Sequence, residues 1–317
     1  MKCLYKLIVL SAVFLVFSGV ARASDDGVPV DKTKYADRKV LEDFTAAPCP
    51  DNPRALTKIK DNLYRHTTGA GLAVHSGLVL ITSEGALVID PAMTCTAGWL
   101  RDEIRKKFKT SVKYVVYTHA HTDHISGAQI FQKDGAIVVA NERTLEPIVG
   151  EKLPTAIPDR VFDKDMTITL GGEKIILHRV APSHSDSMTM VLFPKEKALQ
   201  CTDVCENQSM PYNDFLDFYY PGWIETLDWV LAQDVDVIDV GHYSPATKKE
   251  EQALRDYMVD LHQQVLDLVR AGQPWDQLYR NVHFNDKVKK WIAYDQMHTL
   301  NIVGMYRWVS NHRRGEW

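Results

Sequence analysis

The chain is poor in cysteine, with 5 in 317 residues, far below the density of small domains held together by disulfides. It carries no excess of positive charge. Thirty-seven Lys and Arg stand against 41 Asp and Glu, a formal net charge of −4, which disfavours polyanionic partners such as nucleic acid. Beyond the first two dozen residues no apolar run approaches the roughly 20 residues needed to cross a bilayer. No low-complexity tract, long charge run or solenoid-type repeat is present either, so disorder and repeat arrays are excluded as organising themes.

What is present begins with "MKCLYKLIVLSAVFLVFSGVARAS". Lys2 and Lys6 precede an apolar run from Leu7 to Phe17, and small residues stand at Ala21 and Ala23. This is the pattern of a signal peptide at residues 1–23, with cleavage expected before Ser24. Cys3 precedes the apolar run, where a lipobox cysteine would follow it, so no membrane anchor is expected in the mature form. Removing 23 residues leaves 294, and the loss of Lys2, Lys6 and Arg22 takes the formal charge from −4 to −7. The expected location is periplasmic or secreted. Four cysteines remain in that form: Cys49, Cys95, Cys201 and Cys205. They allow three pairings that sequence alone leaves open; Cys49 and Cys95, both in turn-like surroundings, are the favoured pair.

Residues 24–53 are polar and proline-bearing and read as an extended leader. From residue 54 the pattern is β-rich, with "GLVLITSEGALVID" reading as a hairpin turned at Ser83-Glu84-Gly85. Leu100, Ile104 and Phe108 have helical spacing, the run Val112–Thr118 reads as a strand, and a helix is expected from about Ile125 to Phe131. The hairpin style returns from Met166, with "MTITL", "KIILHRV", "MTMVLF" and "KALQC". After residue 248 the apolar residues Leu254, Tyr257, Met258, Leu261 and Val265 recur at helical spacing, and a last helix is expected from about Asp286. These C-terminal helices, within 248–317, are read as packing on the same domain as residues 54–247.

The most informative stretch is "YVVYTHAHTDHISG", Tyr114 to Gly127. With 12 His in 317 residues, the pattern H-x-H-x-D-H arises by chance with a probability on the order of one in a thousand. It follows a short apolar strand, so it sits where α/β sheets place their sites. On an extended backbone His119 and His121 point to one side, and Asp123 and His124 can face a second direction, so one loop can serve two neighbouring metals. Imidazole and carboxylate donors suit zinc. Further candidates occupy strand exits: His184 in "PSHSDS", Asp203 in "CTDV" and His242 in "GHYSPAT". The remaining histidines read as structural or surface residues, except His75 in "VHSG", which lies in an early hairpin.

The series Asp90 in "LVIDP", "HAHTDH", "SHSDS", "CTD" and "GHYSPAT", in this order, resembles the metallo-β-lactamase superfamily, in its exported, glyoxalase-like and quinoprotein-associated branch. The resemblance runs from about Lys58 to Thr247. It implies the α/β class and an αββα sandwich, the metallo-β-lactamase fold: two mixed sheets face to face, helices outside, metals at one edge. It further implies that His119, His121 and His184 hold a first metal, that Asp123, His124 and His242 hold a second, and that Asp203 bridges them. Asp90 then supports the metal loop without ligating. His75, Tyr212, Tyr219, Tyr220 and Trp223 are candidates for the wall of a substrate pocket.

Asp203 bears on the subfamily. As the family is known, dedicated lactamases generally lack the bridging carboxylate, whereas thioesterases, lactonases and many other hydrolases keep it. The expected protein is an exported dinuclear zinc hydrolase, with iron or manganese as alternative metals. A metal-bridging hydroxide would cleave an ester, thioester, lactone or related bond in a small molecule, and Asp123 would orient it and move its proton. The rival readings are a metallo-β-lactamase, an iron-dependent redox enzyme, and a non-catalytic metal-binding accessory protein on the same scaffold. Oligomeric state is not legible.

Overall fold

The computed structural model describes residues 27–35, 52–215 and 218–312. The expected signal peptide, most of the leader and Cys49 lie outside these residues. The described part of the leader contributes β1 (Val28–Pro29) and a 3-10 turn at Lys32–Tyr35.

Two mixed sheets form the body. The first is built from β1, β2 (Arg54–Lys60), β3 (Leu63–Thr68), β4 (His75–Thr82), β5 (Gly85–Ile89), β6 (Val112–Val116), β7 (Ile137–Asn141) and β8 (Arg160–Phe162). Its order is β1-β8-β7-β6-β5-β4-β3-β2. The antiparallel hairpins β2–β3–β4–β5 give way to parallel β5–β6–β7–β8. The second sheet holds β9 (Asp165–Leu170), β10 (Glu173–Arg179), β11 (Thr189–Phe193), β12 (Ala198–Gln200) and β13 (Val237–Asp239), in the order β13-β12-β11-β10-β9.

Side chains alternate between the two faces of a strand, and the sequence uses both faces. Leu78, Leu80, Leu87, Ile89 and Val116 point inward from the first sheet to meet Ile168, Ile175, Leu177, Val191 and Phe193 of the second. The intervening Val79, Ala86, Val88, Val115 and Val138 face outward against α1 (Thr94–Phe108), α3 (Ala128–Lys133) and α4 (Glu142–Gly150). On the other side Met190, Leu199 and Ile238 are covered by α5 (Tyr220–Ala232), α6 (Lys248–Arg270) and α7 (Tyr294–Asn311). Each fully buried Leu or Ile in these layers contributes about 1.5–3 kcal/mol.

The helix expected over Ile125–Phe131 is two helices, α2 (Thr122–Ile125) and α3. The break falls at Gly127, where a Cβ would lie 2.4 Å from the Ala97 Cβ and 3.0 Å from the Ala92 carbonyl oxygen. The chain there passes too close to α1 for any side chain. The last helix starts at Tyr294 rather than near Asp286, after a 3-10 turn at Val288–Lys290. Helix α6 opens on a capping box between Thr247 and Glu250, which satisfies backbone donors that the first turn leaves free.

Candidate metal centre

The cluster is built from strand exits and one short helix, α2, which His121 caps and which carries Asp123 and His124. Asp90 follows β5, His119 follows β6, Asp203 follows β12 and His242 follows β13, while His184 lies in the loop joining β10 to β11. The two sheets are locked together beside these loops. Thr189 N–H donates to the Thr118 carbonyl at 2.8 Å, Leu78 N–H donates to Gln200 Oε1 at 2.9 Å, and Arg65 Nε–H donates to Asp239 Oδ1 at 2.7 Å. Asp90 and Asp203 have φ of 46° and 62°. Non-glycine residues adopt that left-handed region at a cost, and Asp tolerates it better than most.

The donors fall into two groups, each with its ligand atoms within 4.8 Å of one another: His119, His121, His184 and Asp203, and His75, Asp123, His124 and His242. Asp203 stands between them. Its Oδ1 lies 2.9 Å from His242 Nε2, and its Oδ2 lies 3.0 Å from His124 Nε2, 3.3 Å from His119 Nε2 and 3.4 Å from His184 Nε2. His184 Nε2 is 3.0 Å from His121 Nδ1. The residues that the sequence assigned to two metals thus converge, and His75 joins them: its Nδ1 is 3.4 Å from Asp123 Oδ2.

These donors fit divalent ions. Buried His75 Nδ1, His119 Nε2, His124 Nε2 and Asp203 Oδ1 have polar neighbours at 2.9–3.4 Å but make no aligned hydrogen bond with them, although buried polar atoms ordinarily make one. Supporting contacts fix which nitrogens face inward. The Thr118 hydroxyl donates its one hydrogen to Asp90 Oδ2 at 2.6 Å. Its 3.0 Å contact with His119 Nδ1 is therefore an Nδ1–H donating to the hydroxyl oxygen, and His119 Nε2 keeps its lone pair for the centre. His242 Nδ1–H donates to the Val74 carbonyl at 2.6 Å, with the same result for its Nε2. Asp90 belongs to neither donor group; it also accepts from Thr118 N–H at 2.9 Å and from the Thr202 hydroxyl at 3.0 Å.

Electrostatics agree with this division. Burial lowers His119 to about 3 and His75 to about 4, with neighbouring imidazoles adding to the effect. Burial would lower His124 as well, but the carboxylates of Asp203 and Asp123 override it and raise it to about 10. Against its own burial, Asp203 is held well below the usual carboxylate range by His124 and His242. Burial raises Asp90 to about 6. A ligand lone pair takes either a proton or a metal ion, so an ion held at His124 would displace a proton.

A cavity of about 260 Å³ opens over the centre, lined by His121, Asp123, His184, Asp203 and His242 together with Tyr212, Phe215, Trp223 and Glu206. Trp223 is anchored by its Nε1–H, which donates to the Val204 carbonyl at 2.9 Å. Tyr212 and Trp223 therefore stand where a pocket wall was expected. Tyr219 and Tyr220 do not: Tyr219 meets Trp308 edge-on with ring centres 5.1 Å apart, and Tyr220 stacks on His262 at 4.2 Å. Glu206 was not singled out in the sequence. Burial raises it to about 8, and it accepts from the Ser209 hydroxyl.

The cysteines pair differently from expectation. Cys201 is bonded to Cys205, with Cα atoms 5.6 Å apart, and Cys95 is a free thiol. The favoured Cys49–Cys95 bridge is corrected accordingly, Cys49 itself lying outside the described residues. Both cysteines flanking Asp203 are committed to that disulfide and belong to neither donor group.

Comparison with known proteins agrees with this geometry. The chain is 28% identical over 202 residues to a metallo-beta-lactamase type 2 from Elizabethkingia meningoseptica, covering 59% of this chain and 78% of that one. It is 27% identical over 163 residues to the 2,4-dinitroanisole O-demethylase subunit alpha of Nocardioides sp. (strain JS1661), covering 51% and 49%. It is 24% identical over 255 residues to a linear primary-alkylsulfatase from Pseudomonas sp. (strain ATCC 19151), covering 63% and 48%. The matches thus span only about half the length of these last two relatives. Among solved structures, a metallo-beta-lactamase from Pontibacter korlensis shares the fold with a TM-score of 0.59 at 22% identity, over 65% of this chain and 99% of that one. The model of the metallo-beta-lactamase superfamily matches residues 69–242, from the loop before β4 to the last histidine of the centre, and the chain belongs to that superfamily.

Proposed function

We propose that the protein is a hydrolase that uses two divalent metal ions, zinc by donor chemistry with iron or manganese as alternatives, to cleave an ester, thioester, lactone or related bond in a small molecule. The observation that carries this reading is the place of Asp203, whose two oxygens face both donor groups at 2.9–3.4 Å. His119, His121 and His184 would hold one ion, Asp123, His124 and His242 the other, and Asp203 both. A pair of divalent ions supplies hydroxide at neutral pH and polarises the bond under attack. Asp123, on the cavity wall, orients the attacking water and accepts its proton. Tyr212, Phe215 and Trp223 receive the apolar part of the substrate. The N-terminal pattern of Lys2, Lys6, the apolar run and Ala21-Arg22-Ala23 supports a periplasmic or secreted location.

A second reading, hydrolysis of β-lactams, draws on the relatives named as metallo-beta-lactamases type 2. Asp203 among the donors, and the commitment of Cys201 and Cys205 to each other, favour the first. The discriminating experiment loads the mature protein with zinc, iron or manganese and measures turnover of chromogenic esters, thioesters, lactones and nitrocefin. 2,4-Dinitroanisole and a primary alkyl sulfate join the panel because two relatives bear those names. Hydrolysis within the ester, thioester and lactone group, with two ions bound per chain, is the expected result. Efficient turnover of nitrocefin with none of these esters cleaved would replace it with the second reading.

A further inference from the structure

We propose that His75 is itself a metal ligand, donating through Nδ1 to the second ion beside Asp123, His124 and His242. The inference rests on the two-ion reading above and adds a residue that the H-x-H-x-D-H loop and the strand exits do not supply.

The geometry places Nδ1, not Nε2, toward the donors. It lies 3.4 Å from Asp123 Oδ2, and the His75 ring centre lies 4.9 Å from that of His242 and 5.8 Å from that of His124. Donor atoms of one ion with bonds of about 2.0–2.1 Å stand at most about 4.0–4.2 Å apart, so the group, spread over at most 4.8 Å, must draw in by less than about 1 Å to close on an ion. Nδ1 is buried and hydrogen-bonded to nothing. An imidazole nitrogen left in that condition loses hydration without compensation, which an ion would restore.

The backbone around His75 is fastened to the strand and loop that carry His242. Val74 offers its carbonyl to His242 Nδ1–H at 2.6 Å, Ser76 N–H donates to the Gly241 carbonyl at 2.7 Å, and the Ser76 hydroxyl donates to Asp239 Oδ1 at 2.9 Å. Pairing of His75 with Thr68 across β3 and β4 fixes the register from the other side. The residues on either side of His75 are thus held against the second donor group, which is how a ligand is preorganised. With His75 the second ion gains a closed protein set, four donors besides Asp203, and the substrate is left to engage the first ion on the His121 and His184 side of the cavity.

Chelator-stripped protein is titrated with zinc(II) and with cobalt(II) against a chromophoric competitor. Wild type is expected to bind two ions per chain. His75→Ala is expected to weaken one of them by at least about tenfold, the smaller end of what a residue merely supporting a ligand is worth, and to change the visible cobalt spectrum while the other ion binds as before. His75→Asn, whose amide can reach the position of Nδ1, is expected to bind the second ion more tightly than His75→Gln, whose amide mimics Nε2. Two ions held by His75→Ala with wild-type affinity and spectrum would overturn the inference. Equal affinities of the Asn and Gln variants would overturn it too, and that pair carries the test by itself if the alanine variant fails to fold. Fewer than two ions on wild type would instead overturn the two-ion reading beneath it.

Discussion

Thr118 gives Asp90 both of its donors, the backbone N–H to Oδ1 and the hydroxyl to Oδ2, and turns the oxygen of that same hydroxyl to His119. One threonine therefore orients the His119 ring and pins the buried carboxyl behind it.

Thr118→Val keeps the shape and removes the hydroxyl. Asp90 loses an acceptor contact and His119 Nδ1–H loses its partner. The expected cost is about 1–3 kcal/mol of stability, read by denaturant melting. Affinity for the ion at His119 should fall about 10- to 100-fold, read by competition titration. Wild-type affinity in the variant would show that His119 needs no orientation from Thr118.

Asp203→Asn tests the shared carboxylate. Asp203 is the leading charged partner holding His124 up at about 10. In chelator-stripped protein the variant should bring the His124 titration down toward the usual imidazole range, read by NMR of the ring protons. In metal-loaded protein the ion count should drop below two and turnover of any cleaved substrate should collapse. An unchanged ion count would place the bridge elsewhere.

His66 supplies the pH dependence. It is buried, its Nε2–H donates to the Ile89 carbonyl at 3.2 Å, and burial lowers it to about 4. A group lowered in the folded state adds stability above its unfolded value of about 6.5, and that contribution disappears as pH falls toward 4. His66→Gln, which keeps a donor at the same reach but takes no proton, should lose less stability than wild type between pH 7 and pH 5, by up to about 2 kcal/mol. Urea melts with chelator present isolate the effect, because the other histidines are common to both chains. Parallel stability profiles for the two chains would refute it.

The legible part of the site was local or orderly. Four donors share one six-residue stretch at the start of α2, and His184, Asp203 and His242 each follow a recognisable strand. His75 was harder to read because it opens a strand whose alternation looks like ordinary hairpin packing, and its Nδ1 meets Asp123 only once β4 packs beside α2 in the folded chain. Glu206 follows Cys205 with no periodicity of its own. The hairpins and the outer helices α1, α6 and α7 were visible from their spacing. Helix α5 was not, since its first turn contains Pro221 and Gly222 and continues an aromatic stretch that reads as loop. Helix α4 has nine residues with Pro147 inside. The Cys201–Cys205 bond closes within one tight turn beside Asp203, a pairing that spacing alone does not separate from the other arrangements.

The donors are contributed by both layers of the sandwich, from His75 in the first sheet to His242 after the last strand of the second. No short peptide cut from this chain can reproduce the full set. Ion capture would accordingly be a report on completed assembly: a chain ending before Gly241 would present the histidine stretch and its neighbours yet lack the donor that faces Asp203 Oδ1, and its hold on metal would measure how much of the far layer had closed.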